Sequence, residues 1–360
     1  MKELVRVLGG PRVPAAAEDP APARRWHPPP AVSTLPRGVP SFTGRDGEGA
    51  QLGARIVVAD DRGATAVHVV TGMPGVGKTA FAVHVARRVA SRFPDGQLFL
   101  ELRGHAAGRS PLAPFEALRS LLLTIGVAER NIPSTLDDRA RMWRDRLAGR
   151  KMLLVLDDVV DHDQVRPLLP GTPGCQVVLT SRRRLPGLED AQPLPLTVLP
   201  TEHAVTMFLK LANRRAADHE RHRIYELIRL CGYLPLAIGL VAGRLRSHPS
   251  WDVPYLTEQL VSAPDRLAEM RADDLSVSTA FERSYRDLPE DAARLFRRLS
   301  HHPGTDFDVY AAAAVSGRDL DSAQRLVETL YLHHLVEEPA PGRYVLHDLG
   351  RRSARPLLAR

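Results

Sequence analysis

The sequence is poor in cysteine, lysine and aromatic residues, and it has no long hydrophobic run. Two cysteines in 360 residues exclude a disulfide scaffold and a four-cysteine zinc site, and they fit a reducing compartment. No stretch approaches the roughly 18 apolar residues of a membrane span, and the amino terminus lacks the apolar segment of a secretory signal. We therefore expect a cytoplasmic protein that does not cross a membrane.

The positive charge comes almost entirely from arginine. The net charge is +7, and only four of the 49 basic residues are lysines, a bias more typical of a GC-rich genome than of a nucleic-acid-binding surface. Apolar residues at 44% and charged residues at 25% are ordinary for a globular protein, and the length predicts two or three domains.

The first part of the chain is rich in proline, and strand and helix patterns follow it. Nine of the 30 prolines fall in the first 40 residues, so we expect residues 1–38 to be a flexible tail or linker. Five short apolar runs separated by helices then predict an α/β domain at 39–200, with a five-stranded parallel sheet covered on both faces. The predicted strands are residues 66–70, 97–102, 152–158, 175–181 and 194–198.

After residue 200 the pattern is mainly helical. We expect an α-helical domain at 201–270 and a further domain at 271–360. In the latter, helices at 276–287, 290–300, 307–316 and 320–334 precede a hairpin at 335–339 and 343–348. Helices followed by a two-stranded wing are typical of a winged-helix domain.

The strongest motif is the octapeptide GMPGVGKT at residues 72–79, a full G-x-x-x-x-G-K-T between a strand and a helix. Its glycines let backbone N–H groups turn inward toward phosphate oxygens, at the positive end of the following helix. Lys78 is expected to reach the β- and γ-phosphates, and the Thr79 hydroxyl is expected to bind Mg²⁺. The predicted nucleotide-binding residues of this segment are Gly72, Gly75, Val76, Gly77, Lys78, Thr79 and Ala80.

Two further motifs end predicted strands. The run LLVLDD ends in Asp157, which is expected to bind Mg²⁺ through water, and Asp158, which would orient or deprotonate the attacking water. Arg182 follows the next strand and is expected to reach a γ-phosphate. Each has a plainer alternative: a solvated acidic pair at a strand end, and a solvated basic loop formed with Arg183 and Arg184.

Taken in order, the motifs resemble the NB-ARC group of signal-transduction ATPases with numerous domains, most of all its actinobacterial transcriptional activators. The resemblance runs from about residue 35 to the carboxyl end. Besides the octapeptide at 72–79, called the P-loop below, it includes FTGRD (42–46), FPDGQLFLELRG (93–104), LLVLDD (153–158), VRPLLPGTPGCQVVLTSRRRLPGL (165–188), CGYLPLAI (231–238) and YVLHDLGRRSA (344–354).

The resemblance implies a nucleotide switch that is closed with ADP and open, and able to assemble, with ATP. It implies that Phe42 and Arg45 lie against the adenine and ribose, and that Arg182 is the family's sensor arginine. It further implies that Pro235 packs beside the nucleotide and that His347 touches the β-phosphate of ADP. From local sequence alone, Pro235 would simply mark the first turn of a helix, and His347 would lie in a surface turn.

The sequence also departs from the family pattern. Tyr233 stands where the family commonly has glycine, and Leu346 stands where it has methionine. Family regulators usually carry an effector domain before this region and sensor repeats after it. We expect this chain to be the switch core alone, either a natural minimal form that works with partners in trans or a piece of a longer protein.

The main hypothesis is an adenine-nucleotide switch that uses ATP or ADP with Mg²⁺, hydrolyses ATP slowly, and self-associates with ATP or acts on a protein partner. One alternative is a DNA-binding regulator that uses its winged helix. It is less favoured because residues 271–360 carry 13 arginines and no lysine against 14 acidic residues, although Arg351, Arg352 and Arg355 form a local basic patch. The other alternative, an ATP-dependent metabolic enzyme or kinase, has no recognisable acceptor site.

Overall fold

The computed structural model describes residues 31–105, 110–214, 220–273 and 275–354. Most of the predicted tail therefore lies outside the described residues. Within those residues, no helix has the length and apolar character needed to span a membrane.

A parallel sheet forms the first part of the fold, as the sequence predicted, but it has six strands and not five. The strand order is β1-β3-β4-β5-β2-β6, and all neighbouring strands are parallel. The additional strand is β1, which pairs with the edge of β3 and falls within the segment that was predicted to be a tail. Two residues are too short to show any strand periodicity. The strands are β1 (Val32–Ser33), β2 (Ala66–Thr71), β3 (Gly96–Glu101), β4 (Met152–Val159), β5 (Gln176–Ser181) and β6 (Ala191–Pro195).

Helices cover both faces of this sheet because its central strands are apolar on both sides. In β4, Leu153 and Val155 pack with the first two helices, while Leu154 and Leu156 pack with the next two. The helices of this sheet unit are α1 (Asp46–Asp61), α2 (Lys78–Val89), α3 (Pro114–Thr124), α4 (Leu136–Leu147) and the short α5 (His162–Val165).

The second part, here called the helical unit, consists of α6 (Thr201–Ala212), α7 (Arg221–Leu230), α8 (Pro235–Ser247), α9 (Val253–Ser262) and α10 (Arg266–Glu269). Helix α8 is its buried centre, since Ala237, Ile238 and Val241 are almost fully inaccessible. Their cluster continues through Leu234 to Val76 of the P-loop. The start of α8 is therefore packed directly against the predicted phosphate-binding loop.

The third part combines the predicted helices with the predicted hairpin, and we call it the helix–hairpin unit. The side chain of Ser276 accepts the N–H of Thr279 and so begins the first helix. Its elements are β7 (Arg271–Ala272), β8 (Leu275–Ser276), α11 (Val277–Arg286), α12 (Glu290–Leu299), α13 (Val309–Ser316), α14 (Leu320–Leu332), β9 (Val336–Ala340), β10 (Arg343–Leu346) and α15 (Asp348–Ala354). The short β7–β8 pair and α15 were not predicted.

Candidate functional site

The P-loop connects β2 to α2 and needs glycine at both of its ends. Gly72 has a φ of 149°, and a Cβ there would lie 2.5 Å from the carbonyl oxygen of Leu196. Gly77 has a φ of 95° and precedes the first residue of α2. Residues with a side chain rarely adopt these backbone conformations, so the loop keeps its inward curl only with these glycines.

Lys78 is fixed inside this loop. Its Nζ donates to the carbonyl oxygens of Gly72, at 2.8 Å, and of Met73, at 3.0 Å. Burial, and after it the nearby Arg182 cation, lower the pKa of Lys78 to about 7. An anionic group beside this ammonium would favour its charged form.

Thr79 and Asp157 form a pair of hard oxygen donors where α2 begins and β4 ends. The Thr79 hydroxyl donates to Asp157 Oδ2 at 3.1 Å, and the Thr180 hydroxyl donates to Oδ1 at 2.5 Å. The Asp157 side chain is buried, and burial raises its pKa. A hydroxyl and a carboxylate are ligands that suit Mg²⁺, which takes few protein ligands beside phosphate and water. Among the described residues, no group of three or more His, Cys, Asp and Glu side chains is placed to hold a metal ion.

Asp158 leaves the line of β4, where the register with β5 shifts between Leu156 and Val159. Its φ is 57°, and its backbone N–H donates to the Thr180 hydroxyl at 3.0 Å. Its carboxylate accepts the His105 peptide N–H at 2.7 Å on Oδ2 and lies 2.8 Å from His105 Nδ1 on Oδ1. Burial raises the pKa of Asp158, but the His105 bonds and the Arg182 charge outweigh it and leave the pKa at about 2.

Arg182 lies at a junction and not on an open loop. Its Nη1 donates to the carbonyl oxygen of Ala280 at 2.9 Å and approaches the Ser284 hydroxyl at 3.4 Å, both on α11. Its Nε is 3.8 Å from Asp158 Oδ1, and burial lowers the pKa of the guanidinium. Arg182 therefore connects the end of β5 to the helix–hairpin unit.

The following Arg184 makes the same connection. Its backbone N–H donates to the Leu332 carbonyl at 2.8 Å, and its guanidinium lies 4.0 Å from the centre of the Tyr331 ring. The arginine loop is thus a contact between two parts of the fold, and the solvated-loop alternative does not describe Arg182 or Arg184.

Pro235 begins α8 directly beside the P-loop. The next residue, Leu236, donates its backbone N–H to the Gly75 carbonyl at 3.1 Å. A Cβ on Gly75 would lie 2.9 Å from Leu236 Cβ, and a Cβ on Gly77 would lie 4.0 Å from Pro235 Cβ. Pro235 therefore lies next to the phosphate-binding loop, and its packing beside a nucleotide stays a prediction.

His347 contacts the peptide just before α8. Its Nε2 lies 2.9 Å from the Gly232 carbonyl oxygen, and the Leu349 N–H donates to Nδ1 at 3.2 Å. Tyr233 adopts a φ of 57°, the left-handed conformation for which the family's usual glycine is suited.

Phe42 and Arg45 support the site from outside it. The Phe42 ring stacks on His84 with centroids 4.1 Å apart. The buried Arg45 pairs with Glu48 and donates to the Thr197 carbonyl. Neither side chain lines the cavity beside the P-loop, whereas Val39 of the same segment does.

A cavity of about 770 Å³ unites most of these groups. Gly75, Gly77, Lys78, Thr79, Ala80, Asp157, Asp158 and Arg182 line it, all of them predicted site residues. None of the remaining lining residues was predicted to belong to the site, although Glu101 lies in the segment FPDGQLFLELRG (93–104) and His105 follows β3 at the same sheet edge as Asp157. The missed lining residues include Pro36, Arg37, Val39, Glu101, His105 and Arg283.

Comparisons with known proteins relate the chain to a family. Residues 51–218 match the model of the NB-ARC domain. The chain is 41% identical over 339 residues to the regulatory protein AfsR of Streptomyces griseus, covering 94% of this chain and 34% of that protein. It is 40% identical over 325 residues to AfsR of Streptomyces coelicolor, covering 89% of this chain and 32% of that protein. The chain thus spans about a third of the length of these relatives.

The fold also matches a solved structure. A Walker-type ATPase of Pyrococcus abyssi superposes with a TM-score of 0.59 at 13% identity, covering 87% of this chain and 95% of that one. At this identity the likeness concerns the fold alone. The family follows from the sequence matches and the P-loop: the chain belongs to the NB-ARC group of P-loop ATPases and is close to actinobacterial regulatory proteins.

Proposed function

We propose that this protein is a switch controlled by adenine nucleotide, closed with ADP and open with ATP, that hydrolyses ATP slowly. One observation carries the proposal: all three parts of the fold converge on the P-loop. The sheet unit supplies the loop, α8 binds Gly75 through Leu236, and α11 holds Arg182 and lines the same cavity with Arg283. A ligand in this cavity would therefore contact, and respond to, the arrangement of all three parts.

The proposed phosphate site rests on charge. Four basic side chains line the cavity: Arg37, Lys78, Arg182 and Arg283. Burial, and to a smaller extent the charge of Arg283, lower the pKa of Arg182. Among the described residues, Arg283 forms no ion pair. A di- or triphosphate would satisfy these cations together with the N–H groups of the P-loop.

Thr79 and Asp157 would hold Mg²⁺, Asp157 through water, and the bound ion would neutralise charge on the phosphates. Val39, Val83 and Leu236 give the same cavity apolar walls that suit an adenine ring. We propose that Phe42 and Arg45 affect nucleotide binding indirectly, because they fix the segment that carries Val39.

Slow hydrolysis follows from the state of Asp158. In the proposed step, water oxygen bonds to the γ-phosphorus while the bond to the leaving ADP oxygen breaks, and Asp158 orients the water or takes its proton. Both oxygens of that carboxylate are engaged by His105, and its pKa of about 2 makes it a weak base. The described arrangement therefore fits a closed state with a low rate.

The proposed output is regulatory. The similarity to AfsR proteins supports nucleotide-dependent regulation of transcription or of a partner in trans, and the free, buried Cys175 and Cys231 fit a cytoplasmic location. We propose that the helix–hairpin unit is a winged helix used for closure. Its Arg351 donates to the His302 and Gly304 carbonyls, both at 3.1 Å, which disfavours the basic patch as a DNA surface.

The test is nucleotide binding combined with sizing. We expect the purified chain to bind ADP, and to shift from monomer to a defined assembly when ADP is replaced by a non-hydrolysable ATP analogue with Mg²⁺. Absence of any affinity for ADP would contradict the binding proposal. Binding without any difference in size or shape between the two nucleotides would contradict the switch.

A further inference from the structure

His105 lies buried between two carboxylates that belong to different parts of the fold. Its Nδ1 is 2.8 Å from Asp158 Oδ1, in the sheet unit, and its Nε2 is 3.1 Å from Asp287 Oδ2, directly after α11. The His105 side chain is only 2% exposed. Its peptide N–H donates to the second Asp158 oxygen at 2.7 Å.

This chain of contacts holds the ring from both sides. A carboxylate only accepts hydrogen bonds, so Nδ1 donates to Asp158 Oδ1, while Nε2 pairs with Asp287 Oδ2 at 3.1 Å, and the two contacts together hold the ring. If the helix–hairpin unit moved away, Asp287 would leave with it and the ring would lose one of its two partners.

We infer that His105 is a positioning residue that makes the orientation of the Asp158 carboxylate depend on docking of the helix–hairpin unit through Asp287. With the unit docked, both Asp158 oxygens are engaged and turned from an attacking water. With the unit released, the ring is free to rotate, and Oδ1 becomes available to accept the water's proton. The inference rests on the proposed function, because it assumes that Asp158 acts on that water.

A second contact on the same helix points the same way. Arg182 donates to Ala280 and approaches Ser284, so α11 and the residue after it hold both groups that are expected to serve hydrolysis. Docking of this one helix thus restrains Asp158 and Arg182 together. The contacts from Asp158 through His105 to Asp287 join the sheet unit to the helix–hairpin unit. They are separate from the His347 contact, which joins the helix–hairpin unit to the helical unit.

The experiment compares Asp287→Ala with Asp287→Asn in the full chain. The Asp287 side chain is 42% exposed, so both variants are expected to fold. Asparagine keeps an oxygen that faces His105 Nε2, whereas alanine does not. The matched control is Arg286→Ala, which removes an exposed neighbour that pairs with Glu282.

The measurement is hydrolysis of Mg²⁺-ATP in a single turnover with protein in excess, which separates the chemical step from ADP release. We expect Asp287→Ala to be about fivefold faster than the parent, the effect of losing one polar contact of the imidazole, and Asp287→Asn and Arg286→Ala to match the parent. If the parent shows no turnover, Asp287→Ala should gain it.

Equal rates in Asp287→Ala and the parent, including no turnover in either, would overturn the inference. So would equal acceleration by Asp287→Asn, because that variant keeps the acceptor. ADP affinity of the parent is measured alongside: if the parent binds ADP and the rates are equal, the inference fails alone, and if it does not bind ADP, the proposed function fails.

Discussion

The imidazole of His347 connects the end of the hairpin to the start of α8, through 2.9 Å between its Nε2 and the Gly232 carbonyl oxygen. Because Leu349 N–H donates to Nδ1, the ring is fixed with its proton on Nε2. Burial lowers the pKa of His347, so this neutral form is favoured. Through the Gly232 carbonyl, His347 thus links the helix–hairpin unit to the start of α8, the helix that contacts the P-loop.

We expect His347→Ala to accelerate ADP release by about fivefold, since one hydrogen bond between two parts of the closed form is lost. The rate is measured by stopped-flow displacement of a fluorescent ADP analogue. His301→Ala is the matched control, because His301 is an exposed histidine of the same unit. If His347→Ala and the control release ADP at the same rate, His347 has no part in closure.

Lys78→Ala should weaken ATP binding by roughly 10- to 100-fold, the loss of a hydrogen bond to a charged group. The thermal midpoint should not fall, because the parent buries this ammonium against a desolvation penalty that lowers its pKa to about 7. Titration calorimetry of ATP measures the affinity, with the exposed Lys210→Ala as control. Unchanged ATP affinity in Lys78→Ala would remove Lys78 from the phosphate site.

Arg283→Ala tests whether α11 contributes to the nucleotide site. Its guanidinium lines the cavity beside Lys78 and Arg182, so we expect about a fivefold or larger loss of ATP affinity, and a smaller loss in Arg283→Lys, which keeps the charge. Arg286→Ala on the same helix is the control. Equal affinity in parent and Arg283→Ala would show that the nucleotide contacts are confined to the other parts of the fold.

The sequence predicted best where one short segment carries both the structure and the chemistry. The P-loop, Asp157 and Asp158 each depend on a strand end or a glycine turn, which local patterns express. The sequence could not predict that Asp287 meets His105, because the residues are far apart in the chain and neither belongs to a motif. The same holds for Arg283, whose role depends on how α11 packs on the sheet unit.

Strand pairing was the second feature that the sequence could not predict. The edge strand Val32–Ser33 exists because its backbone pairs with β3, and two residues carry no periodic pattern of their own. Strand β6 was expected at 194–198 and lies at Ala191–Pro195, because pairing with β2, as in Val67 opposite Ala191, fixes its position. For Phe42, the resemblance of FTGRD to the family implied a contact with adenine, whereas its ring stacks on His84 of α2.

His68 provides a test of the buried core through pH. It is fully buried on β2, and burial, with Arg55 nearby, lowers its pKa from 6.5 to about 4. Between these values the unfolded chain binds a proton that the folded chain does not, so the free energy of unfolding falls as the pH drops below 6.5. From pH 7 to pH 5 this single group should remove roughly 2 kcal/mol of stability.

We therefore expect His68→Leu to flatten the pH dependence of unfolding by about that amount. Urea unfolding followed by circular dichroism at pH 7, 6 and 5 measures it, and the slope will not vanish, because burial also lowers the pKa of His333 to about 4. His301→Leu, which changes an exposed histidine, should leave the dependence as it is in the parent. If His68→Leu loses as much stability as the parent between pH 7 and pH 5, His68 is already protonated in the folded chain, and the apolar environment assigned to it on β2 is wrong.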